Sequence, residues 1–236
     1  MVNVDTDNSD GYELYPDRNP SNSRSVLSKL LFRDSRVSDH LRCEANVAYC
    51  LKNSPLVKLM MVALKSSGCE VDFARHISCE VCSPIVSGGY DAERNQVVVC
   101  ENVATSDGTV QTALAHEFVH MFDKCRAKMD FNNAEHVACS EVRAANLMHC
   151  SFTSAWLSGD ASLFNFEKAH EKCVRTKAAR SVAAIKHISR KEADAIVDKV
   201  FSVCYNDLEP LGRRLRRNMD DMQRAYEDRH HGGYID

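Results

Sequence analysis

The stretch Thr112–Leu147, TALAHEFVHMFDKCRAKMDFNNAEHVACSEVRAANL, decides how this chain is read. Inside it, His116-Glu117-Phe118-Val119-His120 has the HExxH spacing. Positions i and i+4 share one helical face, so the imidazoles of His116 and His120 can reach one ion. Zinc accepts imidazole nitrogen readily, and a catalytic zinc takes three protein ligands plus a water. Glu117 follows the first histidine and can approach that water. The metal lowers the water's pKa toward about 7, and the carboxylate takes its proton as general base. The spacing alone arises by chance in on the order of a few per cent of chains with this many histidines. Its surroundings sharpen it. Leu114, Ala115, Phe118, Val119 and Phe122 make the helix apolar, and burying two imidazoles and a carboxylate without a partner is costly. Ser106-Asp107-Gly108-Thr109 supplies N-terminal caps. The bland alternative is a core helix with incidental histidines.

A third protein ligand has three candidates. Asp123 lies at i+3 from His120, nearly a turn further along, and suits better a hydrogen-bond acceptor that orients a histidine. His136 opens the next helix beside Asn132 and Asn133, where a surface role is the default. Glu141 is preferred. On a helix from about 134 it shares a face with Ala134, Ala138 and Ala145. A carboxylate on that small-residue face is poorly placed unless a cation meets it; its rival is a solvated side chain. Its position one helix after HExxH resembles the gluzincin arrangement.

Outward from this centre, residues 1–26 are rich in Asn, Asp, Ser and Pro, without periodicity, and read as a disordered lead-in. Residues 27–52 read as a helix. Ser54 at an N-cap and Pro55 at the first helical position open another, which Gly68 stops. Cys69–Val103 changes character: a weakly alternating CEVDFARHISC and the β-branched run NQVVVCENVA, preceded by Gly88-Gly89-Tyr90-Asp91, predict two or three short strands with a turn between them. Helical periodicity then returns over 109–126, 134–149, 162–187 and 191–204. The division is a lead-in (1–26), one domain (27–211) and a polar tail (212–236). In the tail, Arg213–Arg217 reads as a solvated helix face or a contact for anionic headgroups, and His230-His231 as a frayed end.

The 236 residues carry a net charge of −3, which gives no global field for nucleic acid. The longest apolar candidate, Leu56–Leu64, is interrupted by Lys58 and falls short of the roughly 18 residues a membrane span needs. The acidic N-terminus has neither a signal peptide's apolar stretch nor a presequence's basic character. The 11 cysteines are dispersed, with a single CxxC at Cys79–Cys82. A four-thiolate zinc site is therefore weak, and buried reduced thiols remain a reading. A disulfide framework with one thiol left over suits the dispersal best.

HEFVHMFDKCRAKMDF, HVACSEVRAANL, SGGYD, SPLVKLMMVALKSSGC and VFSVCYNDLEPLG together resemble the mitochondrial inner membrane ATP synthase assembly metalloproteases, whose human member is also called a Ku-binding protein. The resemblance spans roughly 43–212. It implies a Zn2+ metalloendopeptidase on the intermembrane-space side of the mitochondrial inner membrane, peripherally bound. Its protein substrate would be a membrane-sector subunit of ATP synthase (the subunit 6 precursor), with a role in assembly beside proteolysis. It implies disulfides made during import, with Cys50 outside the family pattern and unpaired. His116 and His120 match the metal ligands and Glu117 the catalytic glutamate; Glu141 falls in the ACSE stretch. The expected fold is zincin-like α+β, a small sheet from 70–103 on a mostly helical body with the cleft between them. The other readings are a non-proteolytic assembly factor that keeps zinc for structure and a nuclear partner of DNA-repair proteins. The cysteine load argues against the latter.

Overall fold

The computed structural model describes residues 14–18, 33–151, 166–216 and 219–235. Most of the lead-in, the start of the helix predicted from 162, and Arg217 of the basic run lie outside them. The chain divides into two compact units, Met1–Lys52 with Asp72–Leu114 and Asn53–Val71 with Ala115–Asp236. The class is α+β, a mostly helical chain with one small sheet.

In the first unit, α1 (Arg33–Asn53) buries Cys43, Val47 and Cys50, one stripe at helical spacing. After the short helix α2 (Phe73–His76) come strands β1 (Ile77–Glu80), β2 (Gly88–Asp91) and β3 (Gln96–Cys100). The order is β1-β3-β2, with β3 parallel to β1 and antiparallel to β2. Central β3 is covered on both faces, and its Val97-Val98-Val99-Cys100 run is buried throughout. That is why its sequence is continuous rather than alternating. The β2–β3 turn closes through Asp91, whose Oδ1 accepts the N–H groups of Glu93 (3.1 Å) and Arg94 (3.0 Å), and through Asn95 at φ 52°. Disulfides Cys43–Cys79 and Cys82–Cys100 staple α1 to β1 and the end of β3 to the segment after β1.

Residues 14–18 depart from the expected lead-in. A 3-10 turn over Pro16–Arg18 presents Arg18 to Glu80 (2.7 Å), Gln96 (2.7 Å) and Asp91. Tyr15 donates to the carbonyl of Gly88 at 2.9 Å, and a Cβ on Gly89 would lie 2.0 Å from its hydroxyl oxygen. Glycine at 89 is thus required by the tyrosine. Neither partner shows in local periodicity, because Arg18 meets acids over 60 residues away.

The second unit contains α3 (Pro55–Ser66), most of α4 (Asp107–Arg126), α5 (Ala134–Ala144), α6 (Phe166–Lys186), α7 (Arg190–Asn206) and α8 (Met219–Glu227). Ser54 caps α3 by accepting from Val57 N–H at 3.3 Å, with Pro55 in the first turn as expected. A capping box, Ser189 with Glu192, opens α7. Helices α5, α6 and α7 pack pairwise, with Ala138, Ala145, Ala178, Ala179 and Ala193 among the buried residues of that core. Small side chains there let the helices approach closely. Cys139–Cys204 ties α5 to α7, Cys150–Cys173 ties the end of the α5 segment to α6, and Cys69–Cys125 closes a third link. Cys50 is the one free, buried thiol.

The segment 212–236, read as a polar tail, is instead anchored. Leu215, Met222, Ala225 and Tyr234 are buried, and α8 packs on α3. These anchors are too sparse to register as a periodic run. In the basic run, Arg213 pairs with Asp228 at 3.3 Å, and Arg214 donates to Asn146 (3.1 Å) and to the Tyr205 carbonyl (2.8 Å). His230 and His231 are exposed. No single helix among the described residues is long and apolar enough to cross a membrane.

Candidate metal centre

Helix α4 starts where its caps put it. Ser106 Oγ accepts the Thr109 N–H at 3.3 Å and the Ser106 N–H donates to Thr109 Oγ1 at 3.0 Å. Phe118, Val119 and Phe122 are buried with Leu114 and Ala115, so the helix is held from several sides and its imidazoles are presented rigidly. The Nε2 atoms of His116 and His120 stand 3.1 Å apart. Asn133 caps α5, accepting from Glu135 (2.9 Å) and His136 (3.4 Å) N–H groups. Two turns on, Glu141 reaches the same point. Its carboxylate oxygens lie 3.7 Å from His116 Nε2 and 3.4 Å from His120 Nε2. One donor atom from each of the three falls within 4.8 Å of the others.

The two remaining ligand candidates lie elsewhere. His136 is half-buried, and its Nδ1 accepts the Asp130 N–H at 3.1 Å in the loop before α5. Asp123 sits behind His120 and acts on it through Ser140. His120 Nδ1 lies 2.7 Å from Ser140 Oγ, and that hydroxyl donates to Asp123 Oδ2 at 2.8 Å. With its hydroxyl proton given to Asp123, Ser140 accepts the Nδ1 hydrogen of His120. The Nε2 lone pair then faces Glu141. Asp123 is held by Arg143, one of the most deeply buried side chains, and by Arg126 Nε at 3.2 Å.

Burial sets the electrostatics. It pushes the His116 imidazole down to about 4, with the Lys177 charge adding to the fall, and holds His120 well below the ordinary histidine value. Both rings are thus neutral donors at neutral pH. Burial pushes Glu141 up to about 7, partly opposed by a hydrogen bond from Ser181. It holds Glu117 well above the carboxylate range, with the neighbouring Glu141 charge adding to the rise. Two carboxylates therefore share a dry site, and their only ion-pair contacts among the described residues are the imidazoles beside Glu141.

A family model described as the peptidase M76 family matches residues 41–212. The chain belongs to the peptidase M76 family. It is 41% identical over 222 residues to the "Mitochondrial inner membrane protease ATP23 homolog" of Danio rerio, covering 92% of this chain and 83% of that protein. Its identity to the Homo sapiens protein of the same name is 41% over 191 residues, 77% of this chain and 74% of that one. The Schizosaccharomyces pombe "Mitochondrial inner membrane protease atp23" is 35% identical over 171 residues, 72% of this chain and 90% of that protein. No solved structure matches the chain.

The donors of this M76 peptidase have the dimensions of a zinc site. Zinc–nitrogen and zinc–oxygen bonds of about 2.0–2.2 Å at tetrahedral angles set ligand atoms roughly 3.3–3.5 Å apart. The two Nε2 atoms, 3.1 Å apart, and the nearer Glu141 oxygen, 3.4 Å from His120, lie close to that value; the other Glu141 oxygen stands 3.7 Å from His116, and one donor atom from each residue falls within 4.8 Å of the others. A dication would also offset the two carboxylates that burial leaves uncompensated. The residues present fit the ion.

Sequence reasoning passed over Ser140, Arg143 and His149. Ser140 and Arg143 flank Glu141 on faces that periodicity assigns to packing. Helical periodicity places His149 inside a regular helix over 134–149; α5 instead ends at Ala144, and Ala145–His149 form a π turn closed by Cys150 N–H to the Ala145 carbonyl at 2.9 Å. At 3.6 residues per turn, the eight residues from Glu141 to His149 overshoot two turns by about 80°. The extra residue absorbed by the π turn takes back about one residue's rotation, which returns His149 to the face of Glu141.

Proposed function

We propose that this M76 peptidase is a zinc-dependent endopeptidase of zincin-like build, with His116, His120 and Glu141 as metal ligands and Glu117 as general base. The observation that carries the reading is the convergence of two imidazole nitrogens and a buried carboxylate, one donor atom from each within 4.8 Å of the others. The names of its relatives support a place at the mitochondrial inner membrane. The resemblance in sequence adds the intermembrane-space side, peripheral attachment, and the subunit 6 precursor of ATP synthase as substrate, with help in its assembly. The five disulfides suit an oxidising compartment and weigh against a nuclear partner of DNA-repair proteins.

When bound, zinc supplies Lewis acidity that activates water and polarises the scissile carbonyl. The protein's own groups do the rest. Neutral His116 and His120 with an ionised Glu141 present lone pairs from one side. Glu117 takes a proton from the attacking water and hands it to the departing amine. Ser140 and Asp123 hold His120 in the tautomer whose Nε2 is free.

The test uses oxidised full-length protein, Glu117→Gln, and a peptide spanning the substrate's processing site. The variant is expected to keep one zinc per chain by elemental analysis and lose cleavage by about 10²–10⁴-fold. Wild-type cleavage by the variant overturns the base assignment. Metal-free wild type overturns the whole reading. If zinc binds and the wild type cleaves nothing, the assembly-factor reading gains.

A further inference from the structure

The two histidines of the donor triangle are supported from behind by different chemistry. His120 leans on a hydroxyl and an anion. His116 leans on a second imidazole: His149 Nε2 lies 2.8 Å from His116 Nδ1, with ring centroids 4.7 Å apart and planes inclined by 54°. We propose that His149 is the positioning residue for His116: its unprotonated Nε2 accepts the Nδ1–H of His116, and so holds the Nε2 lone pair of His116 toward Glu141 and His120. This rests on the zinc reading above.

The argument is one of hydrogen counting. A neutral imidazole carries one hydrogen. His116 Nε2 faces His120 Nε2 and the Glu141 carboxylate, so a ring that gives a lone pair there must carry its hydrogen on Nδ1. At 2.8 Å from Nδ1, His149 Nε2 can only be the acceptor, and its own hydrogen must be on its Nδ1. The alternative assignment, with Nε2–H on His149, turns the Nδ1 lone pair of His116 outward and leaves a hydrogen where a metal would sit. Outer partners of metal-bound histidines set ring tautomer in this way.

His149 is also fixed in place. The π turn that carries it is pinned on both sides. Asn146 donates to the Tyr205 carbonyl at 2.8 Å and accepts from Arg214 at 3.1 Å. The next residue, Cys150, is bonded to Cys173, and its carbonyl accepts from His170 Nε2 at 3.0 Å. A π turn interrupts regular helix hydrogen bonding and is frequent at functional sites. Here its effect is concrete: it rotates one imidazole back into line behind another.

The experiment measures zinc and cobalt affinity by chelator competition in wild type, His149→Gln and His149→Leu. Cobalt absorption reports the coordination. Glutamine's carbonyl oxygen can accept the His116 hydrogen; leucine cannot. His149→Leu is expected to lose 10–100-fold in affinity and to alter the cobalt spectrum, with His149→Gln restoring most of both. Leucine binding at wild-type strength, or glutamine as weak as leucine, overturns the proposal. Should the leucine variant fail to fold, long-range ¹H–¹⁵N spectra of zinc-loaded wild type decide: Nδ1–H on His149 is expected, and Nε2–H overturns the assignment. Wild type that binds no metal refutes the zinc reading itself, which separates the two failures.

Discussion

Helices α4 and α5 bring two buried clusters of ionisable groups together, and the clusters are completed in opposite ways. In one, Asp123 of α4 meets Arg143 of α5, with Arg126, Asp207 and the Glu209 carbonyl around them. Its charges are balanced from within the chain. In the other, Glu117 and the two histidines of α4 meet Glu141 of α5, and no lysine or arginine pairs with either carboxylate among the described residues. Burial then pushes the acids up and the imidazoles down. The first cluster holds the helices in register. The second is a cost to the protein that the proposed dication would offset. Position within one helix pair does not separate structure from function here; charge balance does.

The sharpest way to break the contrast is Arg143→Met. Losing the buried cation leaves Asp123 only the partly exposed Arg126 and the Ser140 hydroxyl, and a drop of about 3 kcal/mol in unfolding free energy is expected, read from denaturant midpoints with disulfides intact. A double variant that also carries Asp123→Asn should recover much of that loss. A similar midpoint for single variant and wild type would mean that the pair is solvated and the comparison void.

Glu141→Gln should act in the opposite sense on metal-free protein. Burial raises the Glu141 pKa from 4.5 to about 7. Below pH 4.5 the carboxyl is protonated folded and unfolded, so nothing is lost. Between 4.5 and about 7 only the folded form keeps its proton, and stability falls as pH rises. The variant should therefore gain on the order of 3 kcal/mol over wild type above pH 7, with the gain vanishing near pH 4. The same variant should lose zinc affinity. A variant less stable than wild type at pH 8 without metal would sink the account of an uncompensated site.

Ser140→Ala sharpens the boundary between the clusters, since Ser140 links them. Zinc affinity is expected to fall 10–100-fold, while thermal unfolding of the metal-free form changes far less. Unaltered affinity would leave Asp123 without influence on His120.

The smallest effect lies in the first unit, where an ion pair between half-exposed His40 and buried Glu101 offers a reference for both clusters. His40 Nδ1 lies 2.7 Å from Glu101, a bond that raises the histidine's pKa. Its contribution is present below pH 6.5 and is lost as pH rises through the folded pKa. His40 is half exposed, so His40→Ala should cost under about 1 kcal/mol at pH 6 and close to nothing at pH 9. A larger cost that persists at pH 9 would point to packing.

Much of this was legible along the chain because it is local. The i, i+4 histidines, the Ser106, Ser54 and Asn133 starts of helices, and the continuous β-branched run of β3 are patterns that a few residues specify. Glu141 was legible at one remove, because regular periodicity from a capped start fixes its face. His149 was not, since one residue of π geometry shifts the face by about a whole residue step. Arg143 and Arg18 were not either: a buried arginine is tolerable only where acids distant in sequence arrive to meet it, and nothing in its neighbours says whether they will.

The sequence by itself determined which helix carries the donors, which faces they share, and that eleven cysteines must leave one unpaired if the rest bond. Tertiary structure alone decided which cysteines pair, leaving Cys50, and how close Glu141 comes to two imidazole nitrogens. It also set a second imidazole behind His116. The division follows from range. Periodicity and capping are short-range properties of the backbone, whereas distances between donors on different helices are set by how a whole core of small side chains packs.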